Sequence, residues 1–173
     1  QGKQDWIDEV RGAYGDAAKE ELDCIPSKSA GAFLPLTLLE AQAETVPVLR
    51  WNCDNAFTML PPHIREAECL IWCEKELRPH LIALEAGLEH CLGSDFARSA
   101  DLSVIWPIAI QANLERKTPF TVEMRNVPYD QQRQILFYIL DRLPRFRKAV
   151  LDSTGNGEYM GEVAQQTYGE CRV

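Results

Sequence analysis

After Gly87 the chain stops reading as helix and starts reading as strand, and two of the strands end at an aspartate. Residues 90–96, 102–112 and 118–127 are extended candidates, separated by hairpin-length loops that carry Ser or Asn. Pro107 and Pro119 fall inside them, where an edge or a bulge has to absorb a missing N–H. Pro128-Tyr129-Asp130 then opens a helix over 131–143, with Ile135, Phe137, Ile139 and Leu140 apolar, and Pro144 stops it. A short apolar strand over 148–151 and a helix over 158–168, ended by Gly169, complete the order β-β-β-α-β-α. Cys171-Arg172-Val173 reads as the start of another strand. This order predicts an α/β fold. Its mixed sheet sets the first and fourth strands side by side, so that Asp95 and Asp152 face one another at one sheet end.

The first half reads differently. Residues 5–14 and 16–24 suit helices, with Trp6, Val10 and Tyr14 on one face and Asp5 and Asp16 as caps. Residues 25–31 carry Pro, Ser and Gly and read as a loop. Pro35 opens a short helix through Leu36, Leu39 and Ala43. Residues 47–60 are irregular, with a short strand at Val48-Leu49-Arg50-Trp51. A longer helix over 64–77 puts Ile64, Ala67, Ile71 and Leu77 on a buried stripe, and Pro79 should break or kink it before 81–84. The expected organisation is therefore a mainly helical region over 1–87 and an RNase H-like sheet domain over 88–173, cut short at its C-terminal end.

Bulk properties exclude several classes. No apolar run approaches a membrane span, and the N-terminus lacks the apolar core of a signal peptide. Net charge is −8, which argues against a general DNA binder. Its distribution matters more. Residues 1–90 carry 8 basic and 16 acidic side chains, and residues 91–173 carry 10 of each. The basic side chains of the second half include the cluster Arg142, Arg145, Arg147 and Lys148, which reads either as a solvated surface or as a DNA contact. Six scattered cysteines in a chain of this length read as reduced thiols of a cytosolic protein. Cys69 and Cys73 share a helix face near His63 and His80, yet no second close pair at zinc-ligand spacing occurs.

Two sheet-borne carboxylates are hard oxygen ligands of the kind Mg²⁺ or Mn²⁺ takes. Held together, Asp95 and Asp152 could share two ions at the spacing used for phosphodiester cleavage. Asp101, at the mouth of the second strand, could add a ligand or a supporting contact. Gly93 would keep the backbone open beside a bulky substrate. The bland alternative is that these aspartates are ordinary turn residues. Thr154-Gly155-Asn156-Gly157 precedes a helix as anion-binding loops do, but no G-x-x-x-x-G-K-[ST] loop occurs in the chain. The serines and histidines form no nucleophile elbow or triad, and the four tryptophans read as packing residues.

Gly-Ser-Asp-Phe-Ala-Arg-Ser-Ala-Asp-Leu-Ser-Val-Ile-Trp-Pro, residues 93–107, resembles the first nuclease motif of Mu-like phage large terminase subunits. Val150-Leu151-Asp152-Ser153-Thr154-Gly155-Asn156-Gly157, with residues 162–169 after it, resembles their second. Residues 20–27 and 31–34 are similar to the link between ATPase and nuclease. The resemblance implies the nuclease region of a DNA-packaging motor, RNase H-like in fold, cutting double-stranded viral DNA during headful packaging with two Mg²⁺ or Mn²⁺ ions. Asp95 matches the first catalytic and metal-binding acid, Asp152 the second and Asp101 an additional one. Arg98 and the Arg142–Lys148 cluster would then contact DNA. Implied partners are the portal and the small terminase subunit, in the cytoplasm of a bacterial host carrying the phage or prophage. The chain departs from the family twice: it has no ATPase motif, and it lacks the His-Gly-Asp-like segment that carries the final acid. The residues leave two alternatives, a non-catalytic protein-binding module of a packaging motor and an RNase H-like resolvase or transposase relative.

Overall fold

The computed structural model describes residues 2–25, 34–97, 101–152, 154 and 157–173. Contacts group the chain into two units, residues 1–45 and residues 46–173.

The first unit holds α1 (Gly2–Tyr14), a 3₁₀ turn at Gly15–Ala17, α2 (Ala18–Glu21) and α3 (Leu36–Gln42). α1 starts three residues earlier than expected, so Asp5 lies in its first turn, where it favours the helix dipole, and does not cap it. Gly15 turns the chain at φ +53°, a conformation that glycine adopts without a steric penalty. Pro35 precedes α3 in the extended conformation its ring favours. Trp6 and Tyr14, which share a face of α1, are exposed, and these short helices enclose only Ala18 among the described residues. The side chain of Asp16 and the loop residues 26–31 fall outside the described part.

The second unit is a six-stranded mixed sheet with helices packed on it. Its elements are β1 (Val48–Asn52), α4 (Asn55–Thr58), α5 (Pro62–Trp72), α6 (Arg78–Ile82), β2 (Glu89–Asp95), β3 (Ser103–Ile110), β4 (Arg116–Lys117), β5 (Thr121–Arg125), α7 (Tyr129–Leu140), β6 (Phe146–Leu151) and α8 (Glu158–Tyr168). Strand order is β1-β5-β3-β2-β6, with β4 paired to β3. β3 runs antiparallel to β2 and β5, while β6 runs parallel to β2 across the α7 crossover. The mixed α/β architecture and the neighbouring first and fourth strands of the 88–173 segment are as the sequence order predicts. The boundary at 87 is not where the contacts divide the chain. β1 lies within 1–87, yet it pairs in parallel with β5 from Val48↔Thr121 to Asn52↔Arg125, and Arg50 bonds Glu123 across that pair at 2.8 Å.

Two details of the helical layer differ from expectation for physical reasons. The buried stripe beside the sheet is Cys69, Cys73, Leu77 and Leu81, whereas Ile64 and Ile71 are exposed. Cysteine buries as readily as an aliphatic side chain, so an i, i+4 row containing two of them competes with the isoleucine row. Pro79 does not end the helix. A π turn at Cys73–Leu77 precedes it, with the Arg78 N–H bonded to the Cys73 carbonyl. The wider turn accommodates a residue that has no N–H and whose ring crowds the preceding turn.

Pro107 is likewise absorbed in an interior strand. It sits opposite Leu92, between the part of β3 that pairs with β5 (Ser103 to Ile105) and the part that pairs with β4 (Ala109 and Ile110), so no ladder bond is lost on that side. The core lies between the sheet and α5, α7 and α8. It contains Leu92, Ile105, Phe120, Val122, Met124, Ile135, Leu136, Ile139 and Met160. Each such side chain contributes about 1.5–3 kcal/mol by leaving water. Trp51 stacks on Trp72 at 5.4 Å, while Trp6 and Trp106 are exposed.

Candidate metal and phosphodiester site

The parallel pairing of β2 with β6 fixes where the two aspartates go. Gly93 is level with Val150 and Ser94 with Leu151, and the Asp152 N–H donates to the Ser94 carbonyl at 2.9 Å. Asp95 and Asp152 are the next residues on each strand, at the C-terminal ends of neighbours about 4.8 Å apart. Alternation along β2 buries Leu92 and Ser94 and turns Gly93 and Asp95 to the opposite face. Both aspartates are exposed.

Asp152 is held by its own turn. Its Oδ1 accepts the Thr154 N–H at 2.9 Å and the Thr154 Oγ1–H at 2.8 Å. These two bonds, the backbone one first, hold the carboxyl below the ordinary aspartate range. Gly157 closes over the same turn. A Cβ at that position would stand 2.0 Å from the Asp152 carbonyl oxygen. Beside Asp95 a shallow groove of about 350 Å³ runs over Gly93, along Val104, Trp106 and Ile108. Trp106 is fixed in it by a bond from Nε1 to Thr118 Oγ1 at 2.7 Å.

The remaining expected residues are placed less tightly. Asp101 is exposed in the bend before β3, at the same sheet end as Asp95, since β3 runs antiparallel to β2. Among the described residues no three His, Cys, Asp or Glu side chains form a group able to hold a metal ion. Asp101 is therefore not drawn into a three-ligand set with the other two. Arg98 and three residues of the second motif, Ser153, Gly155 and Asn156, lie outside the described residues.

The basic cluster lies elsewhere on the molecule and is engaged. Arg145 and Arg147 both pair with Glu89, at 3.6 and 3.0 Å, at the sheet end opposite Asp95. The Arg142 guanidinium lies 3.6 Å from the Tyr138 ring centroid. Lys148 is exposed on β6. The Cys69 and Cys73 pair is buried, and a bond to Cys73, then burial, pushes the Cys69 thiol up, disfavouring the thiolate a zinc ion needs. All six cysteines are free thiols.

Sequence reasoning missed the supports of the site. Buried Gln132 on α7 and buried Ser103 at the start of β3 both bond to Ala97, two residues past Asp95. Ser103 stood inside the first motif, but nothing in the spacing pointed to Gln132.

A donor set of two exposed carboxylates, one held ionised, on adjacent strand ends is the chemistry of a hard divalent cation. "Probable terminase, large subunit gp28" of Escherichia phage Mu is 46% identical over 179 residues, covering 96% of this chain and 32% of that protein. "Mu-like prophage FluMu protein gp28" of Haemophilus influenzae is 41% identical over 162 residues, covering 93% of the chain and 32% of its length. No family model and no solved structure matches. The chain falls in the class of phage large terminase subunits. Within it, it belongs with the gp28 proteins of Mu and Mu-like prophages, spanning about a third of their length.

Proposed function

We propose that this chain is the nuclease region of a DNA-packaging motor, RNase H-like in fold, that cuts double-stranded viral DNA. One observation carries the reading: Asp95 and Asp152 occupy matching positions at the ends of adjacent parallel strands, in a chain related to a large terminase subunit. Asp95 and Asp152 would hold the divalent ions, with Asp101 as a further or supporting ligand. Bound Mg²⁺ or Mn²⁺ would supply an activated water and stabilise the leaving oxygen. The chain's own contributions are more local. Thr154 keeps the Asp152 carboxylate ionised and oriented, and Gly93 leaves the sheet face beside Asp95 open. Double-stranded DNA, the portal and the small terminase subunit are the partners this reading implies, in the cytoplasm of the bacterial host. No helix among the described residues is long and apolar enough to cross a membrane.

The test is cleavage of supercoiled plasmid with Mn²⁺ by a full-length gp28-type protein carrying this chain. Asp95→Asn and Asp152→Asn should each abolish cleavage while leaving ATP hydrolysis intact. Wild-type rates in either variant would remove that residue from the site. Asp101→Asn should reduce cleavage less. A protein that binds packaging components but never cuts DNA would favour the non-catalytic reading.

A further inference from the structure

We propose that Gln132, in the first turn of α7, is a positioning residue that fixes the chain immediately after Asp95. The proposal rests on the nuclease reading, because its consequence is expressed at the carboxylate. Gln132 is fully buried. Its Nε2 donates to the Ala97 carbonyl at 2.7 Å and to the Val127 carbonyl at 2.8 Å, using both amide hydrogens. Its Oε1 has no hydrogen-bond partner among the described residues. A buried unpaired acceptor is costly, and an apolar side chain of the same shape would avoid that cost. Stability alone is therefore a poor reason for a glutamine at this position.

The Ala97 peptide is gripped a second time. Its N–H donates to Ser103 Oγ at 2.9 Å, and the Ser103 hydroxyl donates back to the Ala97 carbonyl at 2.6 Å. Ser103 is buried and paired to Met124 of β5. Asp95 is thus bounded on both sides. Its N-terminal side is fixed by the ladders of β2 with β3 and β6, and the segment two residues on is tied to α7 and to the start of β3. A carboxylate that ligates a cation has to be held within a fraction of an ångström, and backbone fixed by buried polar groups does this. Gln132 touches no reacting atom; it acts through the Ala97 peptide.

The experiment compares wild type, Gln132→Met and Ile135→Val in the full-length protein. Methionine keeps the volume and loses the bonds. Ile135→Val weakens the same helix one turn on without touching Ala97. Three quantities are read: amide hydrogen exchange at Ala97, Mn²⁺ affinity and plasmid cleavage. In Gln132→Met, exchange at Ala97 should accelerate, and Mn²⁺ affinity and cleavage should fall about 10- to 100-fold, as when other groups orienting metal ligands are lost. Ile135→Val should leave all three close to wild type. Should Gln132→Met fail to fold, Ser103→Ala removes the second grip and should show the same pattern. Unchanged exchange would overturn the clamp. Faster exchange with wild-type Mn²⁺ affinity would make Gln132 merely structural. A wild type that neither binds Mn²⁺ nor cuts would overturn the nuclease reading itself, and the positioning role with it.

Discussion

Gly157→Ala sets two well-defined effects against each other. Gly157 sits just before α8 at φ −78° and ψ −16°, which any residue can adopt. On backbone conformation alone, alanine there should stabilise the protein by about 0.4–1 kcal/mol, because it restricts the unfolded chain. The structure reverses that sign. The new Cβ would lie 2.0 Å from the Asp152 carbonyl oxygen and 3.1 Å from its carbon, with the Phe96 ring at 3.4 Å. The first two contacts are backbone, so no side chain can swing aside, and the turn itself has to open. Overpacking of this kind costs about 1–3 kcal/mol, and a backbone clash belongs at the upper end. The net is a loss of about 2 kcal/mol. At about 2–4 °C per kcal/mol for a chain of this size, Tm should fall by about 4–8 °C. Gly93→Ala is the control, since a Cβ there meets nothing within 4 Å, and its Tm should stay within about 1–2 °C of wild type. Scanning calorimetry of both variants is sufficient. An unchanged or raised Tm in Gly157→Ala would show that the β6–α8 turn does not close over Asp152 in this way.

Thr154→Val removes the hydroxyl bond to Asp152 and keeps the backbone one, so the Asp152 carboxyl should move back toward the ordinary aspartate range. Carboxyl-carbon NMR titration reads this directly, and an unmoved midpoint would mean the side chain is oriented by something else. The buried Tyr138 hydroxyl donates to Glu74 at 2.8 Å, and burial first, then that bond, pushes its pKa up to about 12. A raised folded-state value means the contribution is complete below the unfolded value near 10 and is lost as pH rises through about 12. The stability gap between wild type and Tyr138→Phe should therefore be constant from neutral pH to about pH 10 and shrink from there to about pH 12, as denaturant midpoints would record; a gap that grows over that alkaline range would refute it.

Much of the sheet was legible because strands announce themselves. The runs that became β2, β3 and β6 are short and bounded by turn residues, β3 being largely apolar, and the helix signals at Pro128 and Gly169 bracket the α7 and α8 positions well. Their order alone placed Asp95 beside Asp152, since a parallel strand after a crossover helix has few places to go. The helical layer was less legible. Cys69 and Cys73 buried in preference to Ile64 and Ile71, because which helix face meets the sheet is decided by tertiary packing, and cysteine and isoleucine carry similar weight in that choice. The basic run Arg142 to Lys148 looked like one cluster along the chain. In space it divides: Arg145 and Arg147 turn to Glu89, Arg142 packs on the Tyr138 ring, and Lys148 is exposed on β6. Gln132 was invisible because a glutamine in a helix carries no local sign of whether its amide will be buried, and its partners lie up to 35 residues away.

The parallel pairing of β1 with β5 has a consequence for how the polypeptide is made. Val48 meets Thr121, 73 residues further along the chain. At translation speeds of about 5–20 residues per second, β1 leaves the ribosome about 4–15 seconds before its partner has been synthesised. Trp51 spends that interval without a sheet. Among the described residues its ring meets Phe57, in α4, and Trp72, 21 residues on, and the Trp72 stack needs only α5 to be complete. The Trp51–Trp72 contact thus gives the nascent strand a local refuge, and the strand made last, β6, completes the sheet at the edge that carries the two aspartates.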